Sequence, residues 1–459
     1  MFFRRRAQSA AEKHPANGTF RHKSRVKTNF RIDSKSLLAE IIESLQDMKA
    51  FRCYKADLEK LLEMLTKLMM IPYYRPYYDY RELLAALTPV PARQKFTAAM
   101  ARHARVRYGL DFTYGRAGLF AILHALKITD AEIILPAYTC MVVAHTIEAS
   151  GNHPVFVDID LANYNMALEG LKHAMTKRTR VVVATHLYGY PVDVAAIREI
   201  VGGDVFIVED CALGVQMLAK EGRGIQGDFG IFSFGAAKPL SVYEGGIVVT
   251  DSADLYEAVK AYRDVFMTKS SPKSSAKRWG RFLSSYMLRK CTYQFIYRLK
   301  YGGHTSTKSA LPPDHLPYDA NAILPEFQSR IGLIQLQKLE VILQKRRALA
   351  QTYDNELHDC IRVFPAPLVD SATYSHYTIR VPHRDQIGFI QRMVQCGVAV
   401  DSAYKYALPY LAPYRSPIQG DFPRAAQAAR EVINLPCYPH LDLSDVHYII
   451  ACVAKCAKP

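Results

Sequence analysis

Between Arg105 and Thr250, short and nearly unbroken apolar runs alternate with helical stretches: EIILP, HPVFVDI, RVVVATHLYG, VFIVED, GIFSFG and GGIVVT. Strands that are apolar on both faces need cover on both faces, which predicts a mostly parallel sheet flanked by helices. Ligands of such sheets bind at the carboxyl ends of the strands, and His186, Asp210 and Ser233 all fall at such ends. Upstream, Leu37, Ile41 and Leu45 recur at four-residue spacing with Leu38 and Ile42 beside them. A second run follows at Leu58, Leu61, Leu62, Leu65, Leu68 and Met69. Both predict amphipathic helices in an N-terminal extension over 36–70. From Asn321 a long helix is predicted with Leu333, Leu336, Leu339 and Leu343 as its stripe. Residues Tyr374–Lys458 then alternate strands such as HYTIRV with helices.

Composition sharpens this division. The chain has 459 residues, enough for one two-lobed enzyme or two to three domains, and about half are hydrophobic, so it is globular. The formal charge of +16 sits in two places. Residues 1–35 carry ten Lys/Arg against Glu12 and Asp33, and 265–313 carry ten with no acid. What remains is a net −2, so no nucleic-acid partner is expected of the body of the chain. The tail 1–35 has no apolar periodicity and no secretory core behind Arg4–Arg6, and reads as disordered. Nine cysteines without a C-x-x-C pair or a histidine cluster predict reduced thiols in a cytoplasmic protein and no metal site.

Three features carry chemistry. In GDFGIFSFGAAKPLSVYEGGIVVT (Gly227–Thr250) an apolar strand ends in a small-residue turn that delivers Lys238, and Gly245–Gly246 open the next strand. A lysine sheltered at a strand mouth, beside residues small enough to admit a flat ring, suits a Schiff-base lysine. VFIVEDCAL ends a strand in Glu209 and Asp210, an acid placed to partner a pyridinium nitrogen. Glu209 alternates to the other face of the strand and reads as structural. TYGRAGLFAILHAL sets Gly115 just before an apolar helix, whose N-terminal amides and dipole favour a phosphate. Lysine, acid and phosphate cradle together describe pyridoxal 5′-phosphate (PLP).

These residues carry a resemblance. PVFVDID (154–160), HLYG (186–189), Glu209–Asp210, FSF…K…EGG (232–246) and NLPCYP (434–439) make the chain similar to the DegT/DnrJ/EryC1/StrS family. Those are PLP-dependent sugar aminotransferases of fold type I, and the likeness runs from about Ile71 to the C-terminus. The resemblance implies an α/β fold, with a large domain (71–264) holding a mostly parallel seven-stranded sheet. A small C-terminal α/β lobe (314–459 with its linking helix) would follow. It implies Lys238 as the imine-forming lysine, Asp210 on the ring nitrogen and Ser233 near the phosphate with Gly115, Arg116 and Ala117. It also implies Asn321 as a phosphate contact from the neighbouring subunit of a homodimer. The implied reaction moves an amino group from an amino acid, glutamate being the expected donor, to a nucleotide-linked keto-sugar. Such enzymes feed polysaccharide or glycosylated-metabolite biosynthesis. Two alternatives stay open: a sugar dehydratase of the same family, which characteristically has histidine where Lys238 stands, and a non-catalytic scaffold or sensor.

The chain departs from the family pattern around the ring and the substrate. Arg116 stands where a small hydroxyl residue is usual, and Ile323 replaces an arginine. Cys140 replaces the aromatic residue that stacks on the ring, with Tyr138 as a substitute candidate. Leu213 replaces a glutamine, and Ala403–Tyr404 replaces a His–Tyr pair. His186 could line the pocket under the ring or be a satisfied structural group. Tyr188 and Tyr404 are the candidate substrate contacts.

Residues 265–313 interrupt the family order. Trp279, Phe282, Tyr286, Tyr293 and Tyr297 fall near one helical face, among basic residues and without an apolar run long enough to cross a bilayer. The expectation is a helical surface element docking on an anionic membrane, as a peripheral protein would, or on an acidic partner. The alternative is that the aromatics pack onto the enzyme's own dimer.

Overall fold

A computed structural model describes residues 69–301, 322–357, 364–365, 369–381, 385–414 and 420–457. The tail 1–35, nearly all of the extension 36–70, and Asn321 lie outside the described residues. Helices α1 (Tyr80–Leu87) and α2 (Arg93–His103) lead into strand β1 (Tyr108–Phe112) and helix α3 (Gly115–Ala125). Then come β2 (Glu132–Pro136), α4 (Met141–Ala149), β3 (His153–Val157), α5 (Leu168–Ala174) and β4 (Thr179–Thr185). They are followed by α6 (Val194–Val201), β5 (Phe206–Asp210), β6 (Phe229–Ser233) and β7 (Gly246–Thr250).

These seven strands form one sheet in the order β1-β7-β6-β5-β4-β2-β3. Strands β6, β5, β4, β2 and β3 pair in parallel, and β7 runs antiparallel to both its neighbours. The predicted apolar runs become these strands because both sheet faces are covered: Ile133, Ile134, Val182, Ile207, Val208, Phe229 and Ile247 are all buried. Gly118 lets α3 sit close on the sheet, since a Cβ there would lie 2.4 Å from Val248 Cγ2.

The pattern passes over β1, YGLDF. A glycine and Asp111 break its apolar run, yet Asp111 is buried and pairs with Arg263 Nη1 at 2.8 Å. Its other oxygen accepts from the Leu324 amide at 3.0 Å, so the acid fastens β1 to the segment around Leu324.

Helix α7 (Ala253–Phe266) closes the large sheet and is followed by α8 (Pro272–Ser284) and α9 (Lys290–Tyr301). The aromatic face expected to dock elsewhere is spent within the chain. Phe282 is fully buried against Tyr78 and Phe327, Trp279 stacks on Phe327 at 4.5 Å, and Tyr293 and Tyr297 pack with Met70, Leu288 and Ala399. Basic residues turn inward too: Arg278 pairs with Glu244, and Lys290 pairs with Asp445. Lys273, Lys277, Arg289 and Arg298 face water.

The predicted long helix divides into α10 (Glu326–Gln337) and α11 (Leu339–Leu357). It breaks at Lys338, whose buried amine lies 2.5 Å from Glu82 and 3.1 Å from Asp79, the capping-box acids of α1. Beyond it, β8 (Phe364–Pro365), β9 (Tyr377–Arg380), α12 (Gln386–Gln395), α13 (Pro423–Glu431), β10 (Val432–Leu435) and α14 (Leu443–Cys456) complete the chain. The three strands make a small antiparallel sheet in the order β10-β9-β8. No helix among the described residues is long and apolar enough to cross a membrane.

Candidate active site

The carboxyl ends of β4, β5 and β6 open onto a cavity of about 220 Å³. Lys238, Asp210, Ser233, Gly115, Arg116, His186 and Tyr404 all line it, so the geometry brings together seven of the candidate site residues singled out from sequence. Lys238 is presented by the connection between β6 and β7. That loop is held by Lys238 N–H donating to Gly235 O at 3.0 Å and Phe234 N–H donating to Gly245 O at 2.9 Å. Asp210 ends β5, and its Oδ1 accepts from the Ala212 amide at 3.0 Å. Burial raises its pKa, opposed by that amide and by the charge of Lys238.

At the other end of the cavity, α3 begins at Gly115. Its N-cap, Tyr114, offers no side-chain acceptor, which leaves first-turn amide groups for a ligand. The turn is tightly fitted: a Cβ on Gly246 would lie 2.4 Å from Gly115 N, and one on Gly115 would lie 3.2 Å from Ser233 Cβ. The Arg116 guanidinium stands 4.8 Å over the Tyr114 ring. Ala117 is buried and its amide donates to Tyr114 O at 3.1 Å, so it turns inward rather than toward the cavity.

His186 borders the cavity but has both ring nitrogens engaged. Nδ1 accepts from the Val192 amide at 3.1 Å, which places the proton on Nε2, donating to Glu209 Oε2 at 3.0 Å. Glu209 Oε1 accepts from the Gln226 and Gly227 amides, both at 2.6 Å. His186, Glu209 and Cys211 lie close enough to hold an ion, but the histidine nitrogens and Glu209 are already committed to these bonds. This buried set ties the loop after β4 to the segment before β6, and His186 offers the cavity its ring rather than a free donor.

Two tyrosines stand behind the wall. Tyr138 and Tyr188 are fully buried and share a hydroxyl–hydroxyl bond of 2.9 Å, and neither lines the cavity. Of the residues that follow β2, Cys140, Val142 and Val143 line the cavity in place of Tyr138. The thiol of Cys140 is pushed up by burial, with Lys238 partly offsetting it. Tyr404 reaches the cavity because its segment is tied across the end of β2. Leu408 N–H donates to Ala137 O at 2.8 Å, and Met141 N–H donates to Tyr406 Oη at 3.1 Å. Leu213, beside Asp210, also lines the wall.

Sequence reasoning passed over Thr185. It ends β4, lines the cavity, and its buried Oγ1 has no hydrogen-bond partner among the described residues. The signal was there: a hydroxyl closing an otherwise apolar strand, one residue before His186.

A mostly parallel sheet with a lysine, a carboxylate and a helix N-terminus converging near its strand ends matches an α/β enzyme of the PLP-dependent aminotransferase type. The comparisons place it further. The model of the DegT/DnrJ/EryC1/StrS aminotransferase family matches residues 85–454, and the chain belongs to that family. It is 27% identical over 370 residues to the dTDP-4-dehydro-2,3,6-trideoxy-D-glucose 4-aminotransferase of Saccharopolyspora spinosa, covering 78% of this chain and 87% of that one. Among solved structures it is similar to the aminotransferase TlmJ of Streptoalloteichus hindustanus. The TM-score is 0.68 at 25% identity, over 84% of this chain and 98% of that one. It also shares the fold of a Streptococcus pneumoniae protein assigned as a sugar aminotransferase and solved in a PLP form. There the TM-score is 0.66 at 21% identity, over 84% and 98% of the two chains.

Proposed function

We propose that the chain binds PLP in this cavity and transfers an amino group from an amino acid, glutamate being the first donor to test, to a nucleotide-linked keto-sugar. The observation that carries the reading is the convergence of Lys238, Asp210 and the Gly115–Arg116 turn on one cavity. The residues present fit the cofactor. The Gly115–Gly246 contact leaves a side-chain-free cradle at a helix N-terminus for a phosphate, and the partnerless hydroxyl of Thr185 suits a polar ring substituent. When bound, PLP supplies an electron sink for negative charge at the substrate carbon.

The chain's own groups do the rest. Asp210, as a carboxylate 3.0 Å from the Ala212 amide, is oriented to hold a proton on a ring nitrogen. The Lys238 amine is the only primary amine lining the cavity among the described residues, and takes the covalent attachment and the proton shuttle. Arg116 and Ser233 serve the phosphate, and Tyr404 faces the substrate. A lysine at 238 favours transamination over the dehydratase alternative, whose relatives have histidine there. Two copies are proposed to assemble, with Asn321 contributing to the neighbour's phosphate site, in the cytoplasm where nucleotide sugars are made.

The test is turnover. Purified protein with PLP, glutamate and a panel of nucleotide-linked keto-sugars is expected to give an aminated sugar and 2-oxoglutarate. A protein that binds PLP yet aminates no sugar with any amino-acid donor would overturn the substrate assignment.

A further inference from the structure

Arg278 is the largest fully buried side chain among the described residues, 1% exposed, and it comes from α8, outside the seven-stranded sheet. Its Nη1 lies 2.9 Å from Glu244 Oε2, and Arg281, one turn on, pairs with the same carboxylate. Two guanidiniums on one carboxylate leave a net positive charge, of which the Arg278 part is buried and the Arg281 part is partly exposed to water. Glu244 belongs to the connection that carries Lys238. Gln328 Nε2 donates to its carbonyl and, at 2.9 Å, to that of Val242, and the next residues are Gly245 and Gly246. Gly246 lies directly on the α3 N-terminus, since a Cβ there would sit 2.4 Å from both Tyr114 C and Gly115 N. The Arg278 guanidinium also stands 5.3 Å over the Tyr114 ring, which carries Arg116 at 4.8 Å as well. Arg278 therefore touches both halves of the Gly115 cradle without lining the cavity itself.

We propose that Arg278 is a positioning residue for the phosphate end of the cofactor site: with Glu244 it fixes Tyr114 and the β7 start against each other and adds positive potential at the α3 N-terminus. The inference rests on the PLP reading above. It gives helix α8 a role in the site, in a chain that has Ile323 where its family resemblance expects an arginine. A buried Arg–Glu pair used only as a brace would support every ligand of the cavity equally. A pair acting on the phosphate end should matter for PLP and not for pyridoxal, which lacks the phosphate.

Dissociation constants of PLP and pyridoxal, measured by absorbance titration of the apo full-length chain, separate these. Arg278→Met is expected to weaken PLP about tenfold and pyridoxal less than about twofold, with Arg278→Lys recovering part of the loss. Tyr114→Leu removes the ring from the other side and should shift the same ratio, which keeps the test open if Arg278→Met does not fold. Equal losses for both ligands, or an unchanged PLP affinity, would overturn the role of Arg278 while leaving the PLP reading intact. A wild-type chain that binds neither ligand would take both down.

Discussion

Along one side of the cavity, Asp210, Ser233 and Gly115 stand on strand ends and a helix start of the seven-stranded sheet. Along the other, Cys140 follows β2 in a loop, and Tyr404 arrives from a segment next to the small sheet. On the first side Asp210 and Ser233 stand where the family resemblance implies the ring-nitrogen and phosphate groups, with Lys238 on the β6–β7 connection beside them, while Arg116 replaces the usual small hydroxyl residue and Leu213 a glutamine. The second has a thiol where an aromatic ring is usual, and two tyrosines withdrawn into a buried hydroxyl pair. The difference follows from construction. Strand ends in a sheet covered on both faces cannot move without disturbing the core, whereas loop residues that meet the substrate can be exchanged at small cost to folding. On the proposed reading, cofactor binding therefore rests mainly on the sheet side and substrate selection on the loops.

The largest expected effect lies on the sheet side. Lys238→Ala should lower turnover by on the order of 10³-fold or more, since attachment and proton transfer are lost together. Single-turnover kinetics with glutamate would check it, and a variant within tenfold of wild type would misplace the lysine. Asp210→Asn comes next. It should keep cofactor in the cavity but cost on the order of 10²-fold in kcat, because an amide cannot hold the ring proton electrostatically. Near-normal kcat would mean that this acid serves only the Ala212 turn.

What could be read in the sequence divides along the same line. EIILP, VFIVED, GIFSFG and GGIVVT became strands within a residue or two of the expected bounds, and their ends delivered Asp210, Ser233 and Lys238 to one place. Their apolar continuity is a local property that burial on both faces enforces. Tyr138 and Tyr188 could not be placed that way, because only the tertiary meeting of two loops decides that their hydroxyls face each other rather than the cavity. The long helix was over-extended for a related reason. Its break at Lys338 is set by Asp79 and Glu82, more than 250 residues away in the chain. The aromatic face of α8 and α9 was periodic, but periodicity does not say which surface it covers, and Phe327, Tyr78 and Met70 supplied that surface.

Acid should act first on the loop side. His376 is buried, stacked on Tyr73 at 4.9 Å, and burial together with Arg346 and Lys238 lowers its pKa to about 3. The unfolded chain takes up that proton near the ordinary histidine pKa of about 6.5, so it binds more protons between about 6.5 and 3. Stability is therefore lost as pH falls through that window, by about 2 kcal/mol from this residue between pH 7 and 5. His440, also lowered to about 3, adds a smaller loss because it is less buried. Urea unfolding at the two pH values checks this, and a His376→Phe variant that folds should show a flatter profile. An unchanged slope would assign the acid response elsewhere.

The smallest effect is expected at Cys140. Cys140→Tyr restores an aromatic residue to the cavity wall and should tighten PLP by a few-fold, about 1 kcal/mol of stacking, while raising KM for the keto-sugar. A variant that binds PLP more weakly would show that the thiol side is shaped for something other than the missing ring.

The central claim is that Lys238, at the strand ends of the large sheet, is where the cofactor attaches. Borohydride reduction of the PLP-loaded full-length protein, followed by proteolysis and mass spectrometry, tests it directly. The account predicts loss of the visible absorbance and one pyridoxyl-bearing peptide, the one containing Lys238; a label on any other lysine, or none, would contradict it.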